Sequence, residues 1–142
     1  MGARRIVACS LAAAAALAAA PAGAKEGVVA RVLAAEARPG ARVAVLWTLS
    51  TVDGRERRPF NAGGVFIRLA GPAGRGSPRT FAAQWPLGRY RAVVRVPAGG
   101  VRRVEIGLLG WNDASPAPLL FPVVGAERVL RAAAPPRGSS DR

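Results

Sequence analysis

From Arg89 to Val96 the chain reads Arg-Tyr-Arg-Ala-Val-Val-Arg-Val, and this alternation decides the fold class. Successive side chains of an extended strand point to opposite faces. Tyr90, Ala92, Val94 and Val96 therefore share an inward face, while Arg89, Arg91, Val93 and Arg95 share an outward one. A helical stripe would repeat every 3.6 residues instead.

The same period runs through the neighbouring segments. Arg42 to Val52 puts Val43, Val45, Trp47 and Leu49 on one face and leaves Ala44 and Leu46 among polar residues on the other, as a largely buried central strand would. Val28 to Ala37 precedes it across the Pro39-Gly40 turn, although its alanine-rich end is also compatible with helix. Asp53-Gly54 accepts the positive φ of a tight hairpin. After the basic stretch Arg55 to Arg58, Val65, Ile67 and Leu69 point inward, with Phe66 and Arg68 outward. Gly71 to Pro78, rich in glycine and proline, reads as a mobile loop. Thr80 to Gln84 is a short strand turned back by Trp85-Pro86-Leu87-Gly88. Val101 to Leu109 places Val104, Ile106 and Leu108 opposite Arg103 and Glu105, and is expected to pair with Arg89–Val96 as a hairpin across Pro97 to Gly100. Leu119 to Val124 contains Pro122, which confines it to a sheet edge. The expected fold is all-β, an immunoglobulin-like antiparallel β-sandwich of about seven strands.

An export signal precedes it. Arg4-Arg5 leads into the apolar run Ile6 to Ala20, closed by Pro21-Ala22-Gly23-Ala24 before Lys25-Glu26. This is the three-part layout of a signal peptide, with cleavage expected after Ala24. An uncleaved anchor is the alternative, because the run approaches the roughly 20 apolar residues that cross a bilayer. A lipidated Cys9 would leave too short an apolar stretch before the cysteine. The expected organisation is a signal peptide over 1–24, one β-sandwich domain over 25–124, and a flexible tail over 125–142. The mature chain of about 118 residues is long enough for one core. Its expected location is the periplasm, the envelope or the exterior.

Removing the signal takes Met1 and Cys9, the chain's only methionine and cysteine, and the sequence has no histidine. Disulfides, histidine-dependent triads and the usual ligands of copper and zinc are thereby excluded from the mature chain. No cofactor, no transition metal and no catalytic residue is expected. The carboxylates Asp53, Glu56, Glu105 and Asp113 are scattered along the chain, and a hydrolase built on them would need two within about 10 Å in one cleft. Charge is the positive signal. The full chain carries +13, and removal of Arg4 and Arg5 leaves +11 on the mature part, almost wholly as arginine. Arginine's planar fork suits carboxylate and phosphate, although a genome rich in G and C also makes it the default surface cation. Export argues against nucleic acid.

Pro39-Gly40 before a strand, Val52-Asp53-Gly54-Arg55 after it, and Gly88 to Pro97 followed by Gly100 and a further strand resemble the YtkA-like group of small bacterial exported immunoglobulin-like domains. The resemblance spans roughly Val28 to Leu109 and implies the sandwich fold. Some of that group are associated with copper handling or cytochrome oxidase assembly. The mature chain has none of the histidine, cysteine or methionine that a copper site would use, so the resemblance carries the fold and not the metal.

Four sets of residues invite a role. Trp47 and Tyr90 read as core, the latter with its hydroxyl bonded to backbone near a strand corner. Outward Arg68, Arg89, Arg91, Arg95 and Arg103 would form a cationic stripe for an anionic envelope polymer, a membrane surface or an acidic protein; otherwise they are a solvated face that resists edge pairing. Trp85 and Trp111, each beside a turn, would stack on a sugar or a partner, or else fold over the end of the sandwich. Arg55, Arg57 and Arg58 read as surface charge. The expected function is an exported, non-catalytic binding or accessory domain of the cell envelope, acting through the outward arginines. The alternative is a carbohydrate-binding module using Trp85 and Trp111.

Overall fold

The computed structural model describes residues 27–109 and 117–136. Among them lie β1 (Val28–Arg38), β2 (Arg42–Asp53), β3 (Glu56–Pro59), β4 (Val65–Ala70), β5 (Thr80–Phe81), β6 (Ala83–Trp85), β7 (Arg89–Arg95), β8 (Arg103–Leu108), β9 (Leu119–Phe121), β10 (Val123–Val124), a short 3-10 turn (Pro72–Gly74) and one α-helix, α1 (Ala126–Ala132). The expected signal helix, with its cleavage point at Ala24, lies outside the described residues. Among those described, no helix is long and apolar enough to cross a membrane.

The strands form two sheets. One runs β10-β1-β2-β7-β6, with β3 also paired to β2, and the other runs β5-β4-β8-β9. Every pairing is antiparallel except β1 with β10. Their inner faces meet in one core, giving a sandwich-like all-β arrangement. Val43, Val45, Trp47 and Leu49 of β2 and Tyr90, Ala92 and Val94 of β7 contribute from one sheet; Val65, Ile67, Leu69, Val104 and Ile106 contribute from the other. Burying each of the larger apolar side chains stabilises the fold by about 1.5–3 kcal/mol. Trp47 stacks on Tyr90 at a centroid distance of 6.0 Å, while its indole N–H finds no acceptor among the described residues. All members of the core cluster lie between Val28 and Val129, so a chain beginning at Lys25 keeps the whole core.

Ten strands replace the expected seven or so because the chain crosses between sheets inside runs that read as single strands. Thr80 to Gln84 divides into β5 and β6, and at the corner Ala82 N donates to Val65 O at 2.9 Å. Leu119 to Val124 divides at Pro122, whose carbonyl accepts from Ala30 N at 2.9 Å. Each half is an edge strand, where proline is tolerated. The basic stretch after Gly54 is itself β3, paired to β2 from Ser50↔Pro59 to Asp53↔Glu56.

Three further expectations are corrected, and a fourth, the outward Phe66, is refined. The strands β7 and β8 do not form a hairpin: β7 pairs with β2 and β6, whereas β8 pairs with β4 and β9 in the opposite sheet. Phe66 points away from the core yet is 0% exposed. It pairs across the ladder with Gly107, whose missing side chain leaves space for the ring, and the Arg79 guanidinium covers it at 5.2 Å from the centroid. The Gly71–Pro78 segment is ordered. Buried Ser77 extends the β4 ladder, with Leu69 N donating to Ser77 Oγ and Ser77 N donating to Leu69 O, both at 2.9 Å. Lastly, the segment 125–142, expected to be a flexible tail, contains α1. Val129 is fully buried, and Ala126, Leu130 and Ala133 pack beside it, a spacing of one helical face.

Candidate functional site

The register of the larger sheet determines what its outer face displays. Since Trp47 and Val45 face the core, Arg42, Ala44, Leu46 and Thr48 of β2 face outward. Opposite them on β7 stand Arg95, Val93, Arg91 and Arg89. On the other side β1 presents Arg38 opposite Arg42, Glu36 opposite Ala44, Ala34 opposite Leu46, and Arg31 opposite Thr48. Keeping this parity along the whole of β1 requires the bulge between Val32 and Ala34, which returns Ala34 to the outer face after Leu33 is inserted.

Three arginines consequently line up across three strands, in the order Arg38, Arg42, Arg95. Directly opposed residues have Cβ atoms about 4.5–5.5 Å apart, and like charges so placed are destabilising. One carboxylate lies close: Glu36 Oε2 is 3.2 Å from Arg38 Nη2. Arg42 Nε donates to Pro39 O at 3.4 Å, and no carboxylate lies within ion-pair distance of Arg42 or Arg95 among the described residues. Beside this row a depression of about 230 Å³ is floored by Ala34, Ala44 and Leu46 and bounded by Glu36, Arg38, Arg91 and Trp85. Its walls carry two arginines, the Trp85 ring and Glu36, whose charge Arg38 partly neutralises.

The five arginines expected to form one stripe divide between opposite faces. Arg89, Arg91 and Arg95 share the outer face of the larger sheet. Arg68 and Arg103 lie on the smaller sheet and are engaged there. Glu105, with its side chain only 10% exposed, receives Arg103 at 2.5 Å on Oε1 and Arg68 at 3.4 Å on Oε2. Arg68 also donates from Nε to Ser77 O and from Nη2 to Gly74 O, each at 3.2 Å. It is therefore a clasp for the 71–78 segment rather than an outward cation.

Trp85 lies on edge strand β6, opposite Arg89, and is 46% exposed. It thus shares a face with the arginines, a juxtaposition that sequence spacing does not reveal. Trp111 and Asp113 lie outside the described residues. Asp53 and Glu56 face each other at the β2–β3 turn, whereas Glu105 belongs to the other sheet. No group of three or more His, Cys, Asp or Glu side chains suited to a metal ion occurs among the described residues.

Arg31, Arg38 and Arg42 were not singled out by sequence reasoning, although one signal for two of them was present. Arg38-Pro39-Gly40-Ala41-Arg42 places two arginines symmetrically about a hairpin turn, which sets them opposite each other once the strands pair.

Fold and face together define a small all-β module with two antiparallel-rich sheets, one of them cationic on its outer side. Comparison with family models, curated proteins and solved structures finds no match to the chain.

Proposed function

We propose that the protein is an exported, non-catalytic binding or accessory domain of the cell envelope that contacts an anionic partner through the outer face of its larger sheet. The observation that carries this reading is the cross-strand row Arg38, Arg42, Arg95. A binding anion would relieve the mutual repulsion of the row and accept from guanidinium forks whose backbone positions the sheet fixes side by side. Export is supported by the Met1–Ala24 leader pattern. The fragments around Pro39-Gly40, Val52 to Arg55 and Gly88 to Pro97 support an immunoglobulin-like arrangement of YtkA-like kind. The partner class is an anionic polymer, a membrane surface or an acidic protein.

The test is retention of the chain beginning at Lys25 on immobilised dextran sulfate at low salt. The double variant Arg42→Gln/Arg95→Gln should elute much earlier than the parent. Arg103→Gln, on the opposite face and paired to Glu105, should elute almost unchanged. A loss in the double variant no more than twice that of Arg103→Gln, as its two removed charges against one would give, would show that the retention reflects bulk charge and would remove the assigned face. Exposure of Trp85 beside Arg91 favours a second reading, carbohydrate binding, in which a sugar ring stacks on the indole. Saccharide-dependent changes in tryptophan emission that are lost in Trp85→Phe would support it.

A further inference from the structure

The turn between β6 and β7, Pro86-Leu87-Gly88, combines two features that folding in water disfavours. Leu87 occupies the left-handed region at φ 63, where a side chain crowds its own backbone. It is also the most exposed of the large hydrophobic residues described, at 67%, so packing in this fold does not offset the strain. Trp85 and Pro86 beside it are exposed as well. Such exposed apolar groups on a rigid mount mark interaction sites.

The mount is indeed rigid. Gly88 N donates to Asn61 Oδ1 at 2.9 Å, and Leu49 N donates to Gly88 O at 2.8 Å. Cations flank the tip: Arg89 stands opposite Trp85, and Arg57, opposite Val52, projects from the same face at the same end of the sheet.

From this arrangement the geometry points to the surface of an anionic phospholipid bilayer as the partner, with Trp85 and Leu87 entering the interfacial layer and Arg57 and Arg89 meeting lipid phosphates. The inference rests on the anionic-partner reading and extends it from the Arg38–Arg42–Arg95 row to the opposite end of the same sheet. A polymer in water would engage the arginines and leave Leu87 in water. A sugar stacked on Trp85 would also give Leu87 no partner. A bilayer accommodates all of them: indole rings favour the boundary between headgroups and chains, leucine gains from leaving water, and arginine extends its charged end toward the headgroups.

The test uses the chain beginning at Lys25, floated with vesicles of phosphatidylglycerol and phosphatidylcholine or of phosphatidylcholine alone, with dextran sulfate retention measured in parallel. Binding to the anionic vesicles is expected, with Leu87→Gly weakening it about tenfold through loss of the apolar side chain. That variant should keep its dextran sulfate retention, since no charge changes, and should melt at the same or a higher temperature because glycine accepts positive φ. Brominated lipid should quench the parent more than Trp85→Phe. Anionic-vesicle binding unaffected by Leu87→Gly, or retention on dextran sulfate without vesicle binding, would overturn the bilayer inference and leave the anionic-partner reading standing. Failure to bind either would overturn both. Quenching of Trp85 by a soluble saccharide without vesicle binding would overturn the inference in favour of carbohydrate.

Discussion

Tyr90 sits at the junction of the two sheets, where its hydroxyl accepts from Ala62 N at 2.8 Å and donates to Phe60 O at 3.1 Å. Those partners belong to the segment that carries the chain from β3 in one sheet to β4 in the other. Removing the hydroxyl in Tyr90→Phe leaves both backbone groups without this partner, and should cost about 1–3 kcal/mol in urea denaturation. Burial pushes the phenol above its ordinary 10.0, with the Ala62 hydrogen bond pulling the other way. The folded state therefore holds the proton more tightly than the unfolded chain does. The associated stability is fully present below pH 10 and is lost as pH rises through the folded value, so denaturation midpoints should decline above pH 10 less steeply in Tyr90→Phe than in the parent. That Tyr90 is inward was legible from alternation alone. The roles of Arg68 and Phe66 were not: alternation assigns a face, but Glu105, Ser77 and Gly74 hold Arg68, and Gly107 and Arg79 accommodate Phe66, all through partners distant in sequence.

Among the elements, the β6–β7 turn shows how closely backbone approach constrains sequence. Gly88 has φ +66, and a Cβ there would lie 2.6 Å from Leu49 O and 3.0 Å from Phe60 N, both backbone atoms. Gly88→Ala thus combines left-handed strain with a clash that no side chain can relieve, and should destabilise the fold by about 2 kcal/mol or more by chemical denaturation. Leu87→Gly, one residue away, should have the opposite sign. Strand boundaries at corners were hidden in the sequence because Ala82 and Pro122 interrupt pairing without interrupting extended backbone. The helix α1 was hidden for another reason: Ala126, Val129, Leu130 and the capping Ala133 carry its periodicity, but two turns beside an alanine- and proline-rich tail are too short to stand out.

For the whole molecule, an excess of +11 on residues 25–142 makes any anionic contact sensitive to ionic strength. Raising salt from 0.01 to 0.15 M shortens the screening length from about 30 to about 8 Å. Dextran sulfate retention should fall steeply over that range. Vesicle binding should retain a salt-resistant component that is about tenfold weaker in Leu87→Gly, because apolar insertion is not screened; titration of both proteins against salt measures this. Alternating strands, the apolar choice of their faces, the dominance of arginine in the charge, and the absence of sulfur and histidine from residues 25–142 were all legible in the amino-acid order. These are properties of covalent order and of the two-residue period of an extended chain. Which strand lies beside which was settled by folding in three dimensions. A buried face reads the same whether its neighbour is alongside in the sheet or across the core, so β7 and β8 looked like a hairpin although they belong to opposite sheets. The same physics split the expected arginine stripe, sent Arg68 and Arg103 to Glu105, and aligned Arg38 and Arg42 with Arg95 and Trp85 with Arg89.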